Sequence, residues 1–117
     1  MDLRELVGAL LNGDLLTARQ CVTDARRENV VWAYVKQPHD LDEQQLPVAA
    51  GIVELLAARA GQPSPEWTMS VGPAHKPLVL DPGLEQMPRS FERAKTFGPE
   101  PLRRRNLIAL PDFLDVA

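Results

Sequence analysis

The stretch LPVAAGIVELLAARAGQPSP, residues 46–65, decides the fold. Leu46, Ala49, Ile52, Val53, Leu56 and Ala60 recur at helical spacing and define a buried face. Ala49, Ala50, Gly51, Ala57, Ala58 and Ala60 are small and permit close helix–helix approach. Pro47 is tolerated if the helix starts near Leu46, because the first turn needs no donor there. Gly61 is the expected C-terminal cap, and Gln62-Pro63-Ser64-Pro65 forbids continuation. Upstream, Asp40 or Asp42 can cap the start, with Glu43 placed to favour the positive end of the dipole.

Two further helices precede it. Leu3, Leu6, Val7, Leu10 and Leu11 form a stripe that ends at Asn12-Gly13. Asp14 caps the next helix, whose stripe runs Leu15, Ala18, Val22, Ala25. That stripe can continue through Asn29 to Trp32 and Val35, although Val30 to Val35 also has strand propensity. Lys36-Gln37-Pro38 ends it. A bundle of about 60 residues is marginal alone and needs additional cover.

Residues 62–117 have another grammar. Nine of the 11 prolines lie there and cut the chain into short pieces. Long helices and central strands are excluded. Trp67, Met69, Leu78, Val79, Leu80, Leu84, Met87, Phe91, Phe97, Leu102, Leu107, Ile108, Leu110, Phe113 and Leu114 are too apolar for a disordered linker. The expectation is a mostly α fold, a small three-helix core with a proline-rich irregular C-terminal segment packed on it. The chain reads as one domain over 1–117, with a helical core at 1–61 and an ordered wrap with short helical turns at 62–117. Pro88 to Phe97 and Pro111 to Val116 are helical candidates, and Leu107 to Leu110 reads as a short strand.

The chain has 117 residues, 44% apolar and 25% charged, with formal net charge −3. This argues against a generally basic nucleic-acid binder. One cysteine excludes an internal disulfide framework and fits a reducing cytoplasm. No apolar run approaches the roughly 20 residues of a membrane span, so no membrane partner is expected. No catalytic signature is visible. His39 and His75 lack further ligands at metal spacing, and Cys21 lacks an activating base. Ser64, Ser70 and Ser90 lack a nucleophile elbow, and no glycine-rich phosphate loop occurs. The expectation is no enzyme, no cofactor and no metal.

Arg103-Arg104-Arg105 is the sharpest feature. Three consecutive arginines cannot face one way. Residues 61–117 carry 7 basic and 7 acidic residues, whereas residues 1–60 carry 6 and 9. The run therefore either docks on the acidic helical core or meets an acidic partner or nucleic-acid phosphates. Trp67 follows the rigid Pro65-Glu66 and reads as a latch over the core or a partner anchor. Trp32 and Tyr34 lie on opposite sides of their segment, so at least one is expected at the surface.

The alanine-rich helix ending Ala60-Gly61, the segment Pro63-Ser64-Pro65-Glu66-Trp67-Thr68, the run Pro101-Leu102-Arg103-Arg104-Arg105-Asn106-Leu107 and the final Phe113-Leu114 resemble one family. It is the C-terminal region of small bacterial regulator or antitoxin-type proteins, often encoded beside a nucleotidyltransferase-like toxin. The resemblance covers about half the chain and supplies no catalytic residue. In that family a helix-turn-helix domain commonly precedes this region. Residues 1–50 lack its compact helix, glycine turn and polar recognition helix. The resemblance thus implies a neutralising or interaction module of the bacterial cytoplasm more than a DNA reader. The expected partner-binding residues are Arg103, Arg104, Arg105, Trp67 and Phe113. The alternatives are a nucleic-acid-binding regulator using the arginine run, and a self-associating protein using the small-residue face of the third helix with Leu10 and Leu11.

Overall fold

The computed structural model describes residues 1–115 and is mostly helical. The third helix, α3 (Gln45–Arg59), is its axis. Its start follows from an acidic cap one turn upstream. Asp42 Oδ1 accepts from the Gln45 amide at 2.7 Å, and Gln45 Oε1 accepts from the Asp42 amide at 3.0 Å. This reciprocal pair satisfies donors that the helix cannot. Pro47 falls in the first turn, where its missing donor costs nothing. At the other end Gly61 sits at φ 67°, Gln62 donates to the Ala57 carbonyl and Gly61 to that of Ala58. Those two bonds close the helix and need the left-handed glycine.

The sequence predicts one buried face on α3. The structure buries every residue from Pro47 to Ala57 and exposes Ala60. The physical reason is that α3 is covered from two sides. On one side stands α1 (Leu3–Leu11), capped by Asp2, with α2 (Leu15–Arg27), capped by Asp14, packed against it. On the other stands the proline-rich half. It contributes a 3-10 turn at Glu66–Ser70, the short helix α5 (Glu100–Arg103), and two parallel two-residue strands, β1 (Leu78–Val79) and β2 (Leu107–Ile108). Leu102 and Leu107 reach Gly51, where an added Cβ would lie 3.1 and 3.0 Å from their methyls. Leu6, Leu10, Ile52, Leu102 and Leu107 are fully buried. Each contributes on the order of 1.5–3 kcal/mol. The second half therefore completes the core that 60 residues leave open. Of the small residues offered for self-association, Ala49, Ala50, Gly51 and Ala57 are buried within the chain, whereas Ala58 and Ala60 are exposed.

Two boundaries differ from expectation. Helix α2 stops at Arg27 and does not continue to Val35. Asn29 turns the chain at φ 53°, while Val30 donates to the Ala25 carbonyl. Asparagine tolerates that conformation better than most residues. A single 3-10 turn, Trp32–Tyr34, then places Trp32 in the core (5% exposed) and Tyr34 in solvent (81%). The expected helix from Pro111 is only a turn, with Phe113 donating to the Leu110 carbonyl at 3.0 Å. Val116, its expected end, lies outside the described residues. The helix α4 (Pro88–Phe97) has its predicted bounds, with proline in the first turn.

Candidate interaction surface

The arginine run divides three ways, as its spacing demands. Arg105 is 4% exposed, and Glu54 of α3 accepts from it with both carboxylate oxygens, Oε2 from Nη2 at 3.1 Å. The Thr68 and Pro101 carbonyls accept at 2.8 and 3.2 Å. Arg104 also donates to Glu54, but from the surface, and about half its side chain is exposed. Arg103 donates Nε to the Gly98 carbonyl at 2.7 Å and Nη1 to that of Thr96 at 2.9 Å. It thereby caps the C-terminal end of α4, where a cation is favoured.

Burial opposes the charge of Glu54, but hydrogen bonds from Arg105, Arg104 and Thr68 outweigh it and hold the carboxyl below its ordinary range. A carboxylate thus sits inside α3 because two guanidinium groups from the wrap neutralise it. Arg59 makes a second tie from the last turn of α3. Its guanidinium donates to the Phe113 carbonyl at 2.5 Å and to that of Pro111 at 3.2 Å. A third tie lies within the wrap, where Asp81 Oδ2 accepts from the Leu110 amide at 2.7 Å.

Two of the five expected contact residues are therefore corrected to interior positions. Arg105 is consumed by Glu54, and Phe113 is a core side chain. Trp67 is half-buried and donates Nε1 to the Val35 carbonyl at 2.8 Å, which makes it a latch between the wrap and the Trp32 turn. Arg103 is exposed but engaged by backbone carbonyls, and Arg104 faces solvent beside a carboxylate. A shallow depression of about 420 Å³ lies there, lined by Glu54, Met69, Val71, Pro73, Arg104 and Arg105.

Sequence reading missed the outer face of α4. Among the described side chains, Ala94 is the only one fully buried on this helix, with Phe91 half-buried beside it. Phe97 is 69% exposed and Met87 47%. Lys95 lies over the Phe91 ring at 5.3 Å and pairs with Glu92 at 3.5 Å. Arg89 and Arg93, one turn apart, are exposed and have no ion pair or hydrogen bond among the described residues. The spacing 89, 93, 97 puts two cations and an aromatic ring on one helical stripe. That i, i+4, i+8 pattern was available in the sequence, but the triple arginine outweighed it.

Of the remaining chemistry-bearing groups, His75 Nε2 lies 3.4 Å from Glu43 Oε2 on the exposed surface. Among the described residues no group of three histidine, cysteine or acidic side chains is placed to hold a metal ion. Burial pushes the Cys21 thiol up, with Glu5 adding to the effect, so it is not activated. No described helix is long and apolar enough to cross a membrane. A cavity of about 480 Å³ opens between Val22, Trp32, Leu56, Arg59 and Leu114, and it carries no nucleophile–base pair. Compared with known proteins, the chain matches no family model, no curated protein and no solved structure.

Proposed function

We propose that this chain is a small protein-binding module that docks a cognate protein through contacts alone. The observation that carries this is Phe97, a large ring 69% exposed at the end of a helix fixed to the body on one side. Leaving a phenylalanine in water forfeits on the order of 1.5–3 kcal/mol of burial, which a partner surface recovers. The rigid attachment of α4 through Arg103 lowers the ordering cost of binding. The finer role is antitoxin-like or regulatory, in the bacterial cytoplasm, beside a nucleotidyltransferase-like protein. Support for it comes from the resemblance carried by residues 60–68 and 101–114.

Co-expression with the product of the adjacent gene, followed by size-exclusion chromatography with light scattering, tests the proposal. A stoichiometric complex that Phe97→Asp weakens by about 2 kcal/mol or more is the expected result. Absence of a complex at micromolar protein, or a complex indifferent to Phe97→Asp, contradicts it.

A further inference from the structure

We infer that the outer stripe of α4 recognises an acidic protein segment, one that presents carboxylates a helical turn apart beside an apolar residue; this rests on the docking role proposed above. Of the ionic groups on α4, Glu92 and Lys95 satisfy each other, and Lys95 also covers the Phe91 ring. Arg89 and Arg93 remain as like charges at i, i+4, an arrangement that destabilises an isolated helix. Among the described residues no ion pair or hydrogen bond uses them. Two guanidinium forks one turn apart match two carboxylates at the same spacing on a facing helix. Phe97 then continues the stripe as the apolar anchor.

Three other occupants fit less well. A second copy of this chain carries net charge −3, so copies repel at long range. A nucleic acid needs a wider run of cations than Arg89 and Arg93 provide. A membrane needs more than two cations and one ring for stable association.

The test is a nuclear magnetic resonance titration of the full chain. The probe is a synthetic helical peptide with an alanine–leucine host and glutamates four residues apart. The comparison is the same peptide with glutamine at those positions. The expected result is saturable shifts of the α4 amides by the glutamate peptide at concentrations reaching about 1 mM. The glutamine peptide and the Arg89→Glu/Arg93→Glu variant should bind about tenfold more weakly or not at all. Both arginines are exposed, so circular dichroism of the variant should match wild type; a milder pair, Arg89→Gln/Arg93→Gln, gives a second readout. No shift on α4, or equal binding of both peptides, overturns the inference. Tighter binding of a DNA duplex or of anionic phospholipid vesicles at the same amides overturns it as well. The titration does not use the adjacent gene product. A complex with that product without peptide binding on α4 would therefore remove this inference and leave the docking role intact.

Discussion

Glycine behaves oppositely at two helical positions of this chain, and the difference is steric. Gly8 lies within α1 with nothing within 4 Å of an added Cβ. Gly8→Ala should therefore stabilise by about 0.5–1 kcal/mol, through lower unfolded-state entropy. Gly51 has the same helical preference, but its Cβ would press on Leu107, Leu102 and the Pro101 carbonyl at 3.0, 3.1 and 3.3 Å. Those leucines are fully buried and the Pro101 carbonyl is backbone, so a shift of even a few tenths of an ångström disturbs the packed core. Gly51→Ala should destabilise by about 1–3 kcal/mol. Urea unfolding of both variants checks the pair, and equal signs would show that α3 does not touch α5 and β2 as closely as described. The arginine run separates on the same principle. Arg105→Ala removes two of the three arginine hydrogen bonds to a buried carboxylate and should cost about 3–5 kcal/mol. Arg104→Ala removes a half-exposed donor and should cost about 1 kcal/mol or less. The sequence showed that the three arginines must diverge. It could not show which one enters the core, because that depends on Glu54, about 50 residues earlier and on the side of α3 away from the face that the sequence marks as buried.

At the scale of elements, local signals were legible and non-local pairings were not. The Asp14 cap, the Gly61 terminator and the span of α4 follow from short patterns that act within one turn. The end of α2 did not follow, since the apolar stripe continues past the point where Asn29 reverses the chain. The pairing of β1 with β2 was half legible. Leu107–Ile108 reads as a strand, but its parallel partner Leu78–Val79 lies between prolines and is two residues long. The tie between Glu54 and the wrap gives this level a pH dependence. The folded carboxyl titrates below its ordinary value near 4.5, so its stabilising contribution is complete above that value and is lost as pH falls through the lower folded value. Asp81 has the opposite sign. Burial raises its folded value above 3.8, so it favours the fold at low pH and that contribution is lost as pH rises through the folded value. Acid unfolding of wild type and Glu54→Gln, followed by circular dichroism, should give a shallower loss of stability below about pH 4.5 in the variant. Parallel acid profiles would contradict the role given to Glu54.

At the scale of the molecule, the fold inverts the ordinary relation between a helical core and a proline-rich tail. The tail supplies Leu80, Leu102, Leu107, Ala109 and Phe113 to the same core as α1, α2 and α3. Proline stiffens the segment and lowers the entropy lost when it becomes ordered. That rigidity holds α4 at the surface with its stripe outward. The expectation of an ordered wrap came from counting large apolar residues among the prolines. Its detailed path was not legible, because irregular segments lack the periodicity from which regular elements are read. On this packing the wrap is part of the cooperative fold. Amide hydrogen exchange tests it at Ala74, Leu78 and Leu80, whose N–H groups donate to the carbonyls of Arg105, Asn106 and Ile108 at 3.0, 3.0 and 2.9 Å. Protection at these amides equal to that of Ile52 and Val53 in the centre of α3 is the predicted result. Exchange near the unfolded-chain rate at Ala74, Leu78 and Leu80, with α3 still protected, would contradict it.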